Sequence, residues 1–311
     1  MKLPRIILPV LLAGALLLTG CVKGDTSAKG KLKVACTTTM VGDLVKRIGG
    51  DRVDVKVIMG PGVDPHTYKA SPGDYAELNT AALVFYNGLH LEGKMVDVFE
   101  QQLKAKSTAL ASGVPEGKLL AWQAGETGAH DPHIWFDVSI WASAVPVVRD
   151  RLTAADPAGA ETYKANAAAI EASLKALDAE VRQKLASVPK ARRVLVTSHD
   201  AYGYFGKAYD VEVRGIQGIS TETEAGVREM MVAAKFLQDR KIPAVFVESS
   251  VSPKTIESVV ATCKGSGHDV KVGGELFSDA MGAPGQHPPY AVETYEGMVR
   301  YNVDTIVNAL K

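Results

Sequence analysis

The stretch DPAGAETYKANAAAIEASLKALDAEVRQKLASVP, residues 156–189, decides how the rest of the chain is read. Asp156-Pro157 supplies a cap followed by a proline at the first helical position. Beyond it Tyr163, Ala167, Ile170, Leu174, Leu177, Val181, Leu185 and Val188 recur at steps of three and four, one apolar stripe of an α-helix. After Gly159 no glycine or proline interrupts the run before Pro189. About 30 residues at about 1.5 Å each make a helix of roughly 45 Å, longer than most helices inside a domain. Residues 156–189 are therefore expected to be a backbone helix joining two lobes.

On both sides of it strand and helix alternate. Residues 32–39 read as a strand, 41–48 as a helix and 53–59 as a second strand. Ser71-Pro72 is a helix start, residues 83–86 form a short apolar strand closed by Asn87-Gly88, and a helix is expected near 93–105. Past the long helix, strands are expected at 193–198, 211–214, 244–247 and 269–272. Helices are expected at 224–240, 253–264 and 294–310. Such alternation predicts an α/β fold with parallel sheets, an N-terminal lobe at 32–155 and a C-terminal lobe at 190–311.

The first twenty residues belong to neither lobe. Lys2 and Arg5 precede an almost wholly apolar run from Ile6 to Leu18, shorter than the roughly 20 residues of a membrane span. With Leu18-Thr19-Gly20-Cys21 behind it, the segment reads as a signal peptide over 1–20. Its cysteine resembles that of a bacterial lipobox, which makes Cys21 the lipidated residue and 21–31 a polar tether. The expectation is a periplasmic or cell-surface protein held to a lipid bilayer through acylated Cys21. Removing Lys2 and Arg5 leaves 33 basic against 35 acidic residues, a balance that gives nucleic acid no basic face to bind. Cys36 falls in the first strand and Cys263 in a late helix of the other lobe, so buried free thiols are expected.

Four groups share one setting. His66, His133, His199 and Asp279 each fall just after a strand or in a loop after one, and ligands of open α/β sheets bind in the crevice outside the carboxyl ends of strands. Three imidazoles and a carboxylate suit four-coordinate zinc, and two from each lobe would set the metal in the cleft between lobes. Taken singly, each signal is weak. A loop histidine is usually solvated or hydrogen-bonded, an aspartate after serine is usually a turn residue, and spacings of 67, 66 and 80 residues specify nothing locally.

The surrounding words carry more. Asp-Pro-His-Thr-Tyr (64–68), Asn-Gly-Leu-His-Leu-Glu (87–92), Asp-Pro-His-Ile-Trp-Phe-Asp (131–137), Thr-Ser-His-Asp-Ala-Tyr-Gly-Tyr-Phe (197–205) and Gly-Glu-Leu-Phe-Ser-Asp-Ala-Met-Gly (274–282) together resemble the TroA-like family. These are zinc- and manganese-binding lipoproteins of bacterial ABC importers, and the resemblance runs in order from about residue 32 to the end. It implies two α/β lobes bridged by one helix, with the metal ligands at His66, His133, His199 and Asp279, and a membrane permease as partner. It gives His90 a structural role. His130 is left as a weak secondary contact, and His268 and His287 as solvated loop residues. Trp135, Tyr202 and Phe205 flank the candidate ligands, where core packing accounts for them as well as site lining does. Glu248 either orients a ligand histidine or is a strand-end charge.

The donor set leans to zinc, because nitrogen-rich sites rank zinc well above manganese. Manganese-selective relatives carry a glutamate where His199 stands. Zinc-dedicated relatives carry a long His-rich loop that residues 115–130, with one histidine, lack. Zinc is thus the expected cargo, with manganese as alternative, and a monomer is the expected state. Two other classes compete. A surface adhesin has no sequence feature in its favour. A zinc hydrolase would need an open coordination position and a general base, and neither His-Glu-x-x-His nor Gly-x-Ser-x-Gly occurs.

Overall fold

In the computed structural model, which describes residues 30–122 and 129–311, the chain begins with strand β1 (Leu32–Cys36) and helix α1 (Thr39–Gly49). Thr38 caps that helix, its hydroxyl accepting from Val41 N. Strand β2 (Val53–Val57) leads to helix α2 (Pro72–Thr80). Here Ser71 and Asp74 form a reciprocal capping box with Pro72 at the first turn, so the start read from Ser-Pro is where the helix begins. Strands β3 (Leu83–Tyr86) and β4 (Ser107–Ala109) complete a parallel sheet of order β2-β1-β3-β4. β3 lies inside it and is buried along its whole length, as an apolar run in a parallel sheet should be. The signal peptide and Cys21 lie outside the described residues.

The helix expected near 93–105 does not form as one element. A 3₁₀ turn (Gly93–Met95) and a π-type turn (Val98–Gln102) replace it. Leu103 O then accepts both Lys106 N (3.0 Å) and Ser107 N (2.9 Å), turning the chain into β4 so that Ser107 pairs with Val84. Sheet pairing outcompetes the local helical spacing. Helices α3 (Val138–Trp141) and α4 (Ala144–Ala155) precede the long helix α5 (Ala160–Ala186), and all eight residues of its predicted stripe are buried. The Asp156 carboxylate anchors its start, taking Arg52 Nε at 2.7 Å and the Tyr163 hydroxyl at 2.7 Å.

The second half runs β5 (Val194–His199), α6 (Gly203–Tyr209), β6 (Glu212–Gln217), α7 (Val227–Arg240), β7 (Ala244–Glu248), α8 (Lys254–Gly265), β8 (Lys271–Leu276) and α9 (Tyr295–Leu310). β5 pairs β6 and β7 pairs β8, both parallel, with β5 lying beside β7. α5 packs on α1 and α4 of the first half and on α6 and α9 of the second. One hydrophobic core runs through both halves and α5, from Val34 and Leu44 through Leu174 to Leu195, Phe246 and Leu310. A bidentate pair, Arg47 to Glu296 at 2.6 Å on each arm, ties α1 to α9, and Glu296 also accepts Ser173 Oγ of α5 at 3.0 Å. Residues Lys31–Lys311 accordingly form a single compact unit. Cys36 and Cys263 are both buried free thiols, as expected. None of the described helices is long and apolar enough to cross a membrane.

Candidate metal centre

Each of the four groups is aimed by its own local device. His66 lies in the loop between β2 and α2, where the Asp64 side chain accepts His66 N at 2.9 Å, an Asx turn. His133 sits before α3 in a second Asp-Pro-His, and Asp131 Oδ1 accepts His133 N at 2.9 Å in the same way. Asn87 Nδ2 holds the carbonyl of the intervening Pro132 at 2.9 Å. His199 is the last residue of β5, and its backbone N donates to Glu248 Oε1 (2.9 Å) at the end of β7. Asp279 follows β8, with Ser250 Oγ donating to its Oδ2 at 3.3 Å.

The four ends meet. One ligand atom from each of His66, His133, His199 and Asp279 lies within 4.8 Å of the others, and all four residues are buried. His66 Nε2 is 3.3 Å from His133 Nε2, His133 Nε2 is 3.4 Å from Asp279 Oδ1, and His199 Nε2 is 3.4 Å from Asp279 Oδ2. A tetrahedron with arms of about 2.0–2.1 Å, the zinc–nitrogen distance, has edges of roughly 3.3–3.4 Å. His199 Nε2 and Asp279 Oδ1 have no partner with hydrogen-bond geometry, although both are buried. Leaving such atoms unpaired costs about 1–3 kcal/mol each and more for a charge, so a cation at their centre fits the set.

Behind the cluster stand two carboxylates. Asp131 Oδ1 is 2.8 Å from His133 Nδ1, and Glu248 Oε2 is 2.6 Å from His199 Nδ1. Burial opposes charge on His133, yet the carboxylates of Asp131 and Asp279 outweigh it and push the imidazole up to about 9. His199 is likewise raised well above the ordinary histidine range, burial being overcome by Glu248 and Asp279. His66 goes the other way, down to about 4, because burial is only partly offset by Asp279 and its histidine neighbours repel its charge. Against its own burial, Asp279 is held well below the usual carboxylate range by His199 and His133. Without metal, His133 and His199 are therefore biased towards the charged form and His66 towards the neutral one.

The remaining histidines stay outside it. His90 is exposed on a left-handed turn (φ 62°), and His130 Nε2 meets Glu116 Oε1 at 2.9 Å. His268 and His287 are not the solvated residues expected. His268 Nε2 bonds Ile242 O at 2.9 Å, and the His287 ring packs on Phe277 and Tyr301, because their loops fold back over the second half. Trp135 both fills core and edges the His133 ring at 5.2 Å, while its Nε1 donates to Ser278 O beside Asp279. Glu248 accepts the His199 backbone N and stands 2.6 Å from its ring, which favours the orienting role over a bare strand-end charge. Asp64 and Asp131 were missed, though an aspartate two places before a histidine occurs in both Asp-Pro-His words and was the available signal.

A family model described as the periplasmic zinc-uptake complex component A matches residues 34–309. The manganese-binding lipoprotein MntA of Bacillus subtilis is 45% identical over 297 residues, covering 94% of this chain and 95% of that protein. The zinc-binding protein TroA of Treponema pallidum is 44% identical over 287 residues, covering 92% and 91%. The solved structure of the periplasmic zinc-binding TroA from that organism superposes with a TM-score of 0.85 over 90% of this chain and 99% of its own.

Proposed function

Because the chain belongs to the periplasmic zinc-uptake complex component A family, we infer that it captures a divalent transition metal outside the cytoplasm and delivers it to the permease of an ABC importer. His66, His133, His199 and Asp279 are the ligands in this reading. The observation that carries it is the convergence of three buried imidazoles and one carboxylate from four separate segments within 4.8 Å, three of the separations being 3.3–3.4 Å, the edge of a tetrahedral zinc site. Zinc is the main cargo and manganese the second, since three nitrogens and one carboxylate rank zinc well above manganese. Relatives named for zinc and for manganese both stand near this chain. Four protein ligands close the shell and leave no position for an activated water, which favours carriage over hydrolysis.

The anchor is acylated Cys21, a reading supported by the leader before it and by the lipoprotein relative. The protein acts as a monomer at the membrane surface, periplasmic or cell-surface. Calorimetric titration of metal-free residues 22–311 with zinc and manganese tests the function. Sub-micromolar one-to-one binding, stronger for zinc, is expected; well-folded protein that binds neither metal would overturn it.

A further inference from the structure

The two Asp-Pro-His words do the same thing with the backbone and different things with the spare carboxylate oxygen. Asp131 turns on the ring of its histidine at 2.8 Å. Asp64 does not; its Oδ2 accepts from the hydroxyls of Thr67 (2.8 Å) and Thr221 (2.6 Å). Thr221 belongs to the loop between β6 and α7, 157 residues further along the chain and in the second half of the molecule. Its carbonyl is held in turn by Gln217 Nε2 at 3.0 Å, and Gln217 is the residue paired with His199 in the β5–β6 register. A hydrogen-bonded path therefore runs from the backbone of His66 through Asp64, Thr221 and Gln217 to the strand that ends in His199.

His66 needs such a path more than its partners do. Among the described residues, no carboxylate reaches its ring as Asp131 and Glu248 reach theirs. Like His133 it sits in an irregular loop, but His133 has the Asp131 carboxylate at its ring. Its placement depends on the loop, and the loop is tied to the opposite half by the Thr221 hydroxyl.

We propose that the Thr221–Asp64 hydrogen bond is a latch that holds the His66 loop over the bound metal and sets how fast the metal leaves. The inference rests on the metal-receptor reading above. Thr221 is a positioning residue: it touches no candidate ligand and acts only through Asp64. Thr221→Val keeps the side-chain shape and removes the donor, while Thr221→Ser keeps the donor. A single hydrogen bond to a half-exposed carboxylate corresponds to a change of about threefold to thirtyfold in rate.

The test uses the mature protein loaded with zinc and mixed in a stopped-flow instrument with excess fluorescent chelator. Thr221→Val is expected to release zinc about threefold to thirtyfold faster, with Thr221→Ser near the wild-type rate. Losing the same hydrogen bond should lower the melting temperature of metal-free Thr221→Val by no more than about a few degrees, leaving the fold intact. A wild-type release rate in Thr221→Val would overturn the latch, as would equally fast release from Thr221→Ser. Wild-type protein that takes up no zinc would instead overturn the receptor reading beneath it.

Discussion

At His133 and His199 the ring nitrogen turned away from the cluster faces a carboxylate, Asp131 at 2.8 Å and Glu248 at 2.6 Å. Such a pairing fixes the tautomer and makes the other nitrogen a better donor to metal, and its removal typically costs about 10–100-fold in affinity. Glu248→Gln should lower zinc affinity by about that factor in calorimetry, and His199→Ala by more. Unchanged affinity in Glu248→Gln would show that the Glu248 charge does not tune the His199 ring and leave it only the backbone contact to His199 N. The same carboxylates raise the proton affinity of both rings, so metal must displace protons. With His133 at about 9 and His199 raised, zinc binding at pH 7 should release protons from both rings, read from titrations in buffers of different ionisation heat. Affinity should therefore fall steadily as pH is lowered towards about 5. In the metal-free fold, the raised His133 contributes stability that is full below its unfolded value of about 6.5 and lost as pH rises through about 9. His66, depressed to about 4, destabilises that fold as pH falls from about 6.5 through about 4.

Among the elements, α5 carries the most structural consequence. Its stripe faces both halves, and Leu177 on it is fully buried. Leu177→Ala should destabilise the protein by about 2–5 kcal/mol in denaturant titrations, with little change in metal affinity because no candidate ligand lies on this helix. Elements with strong local signals were legible: α5 from its periodicity, α2 from Ser71-Pro72 with Asp74 completing the cap. Others were hidden for definable reasons. β4 is only Ser107-Thr108-Ala109, half-buried and without apolar alternation, and exists because β3 offers it a free edge. β8 runs on past the expected 269–272 to Leu276, its reading obscured by Gly273 and by Gly274 at φ 148°.

In the whole molecule, a core continuous through both halves and a 27-residue helix bracing them leave little freedom for wide closure. Capture and release should proceed by loop movement and slight shifts of packed elements rather than by hinge rotation. Small-angle scattering with and without zinc should give nearly superposable profiles. A change in radius of gyration of the size seen for hinged binding proteins would contradict this.

By itself the sequence determined the α/β alternation, the long helix and the types of donor, because caps, periodicity and residue chemistry act over a few neighbouring positions. Its five motif words also identified the ligand candidates by resemblance. Only the tertiary structure decided that His66, His133, His199 and Asp279, separated by 66 to 80 residues, converge within 4.8 Å. It also decided that Asp131 and Glu248 back two of them while Asp64 reaches across to Thr221. Spacings of that size carry no local preference. The meeting point is set by the packing of parallel strands, whose carboxyl ends lie together, and by the burial that leaves charged and polar atoms only one another as partners.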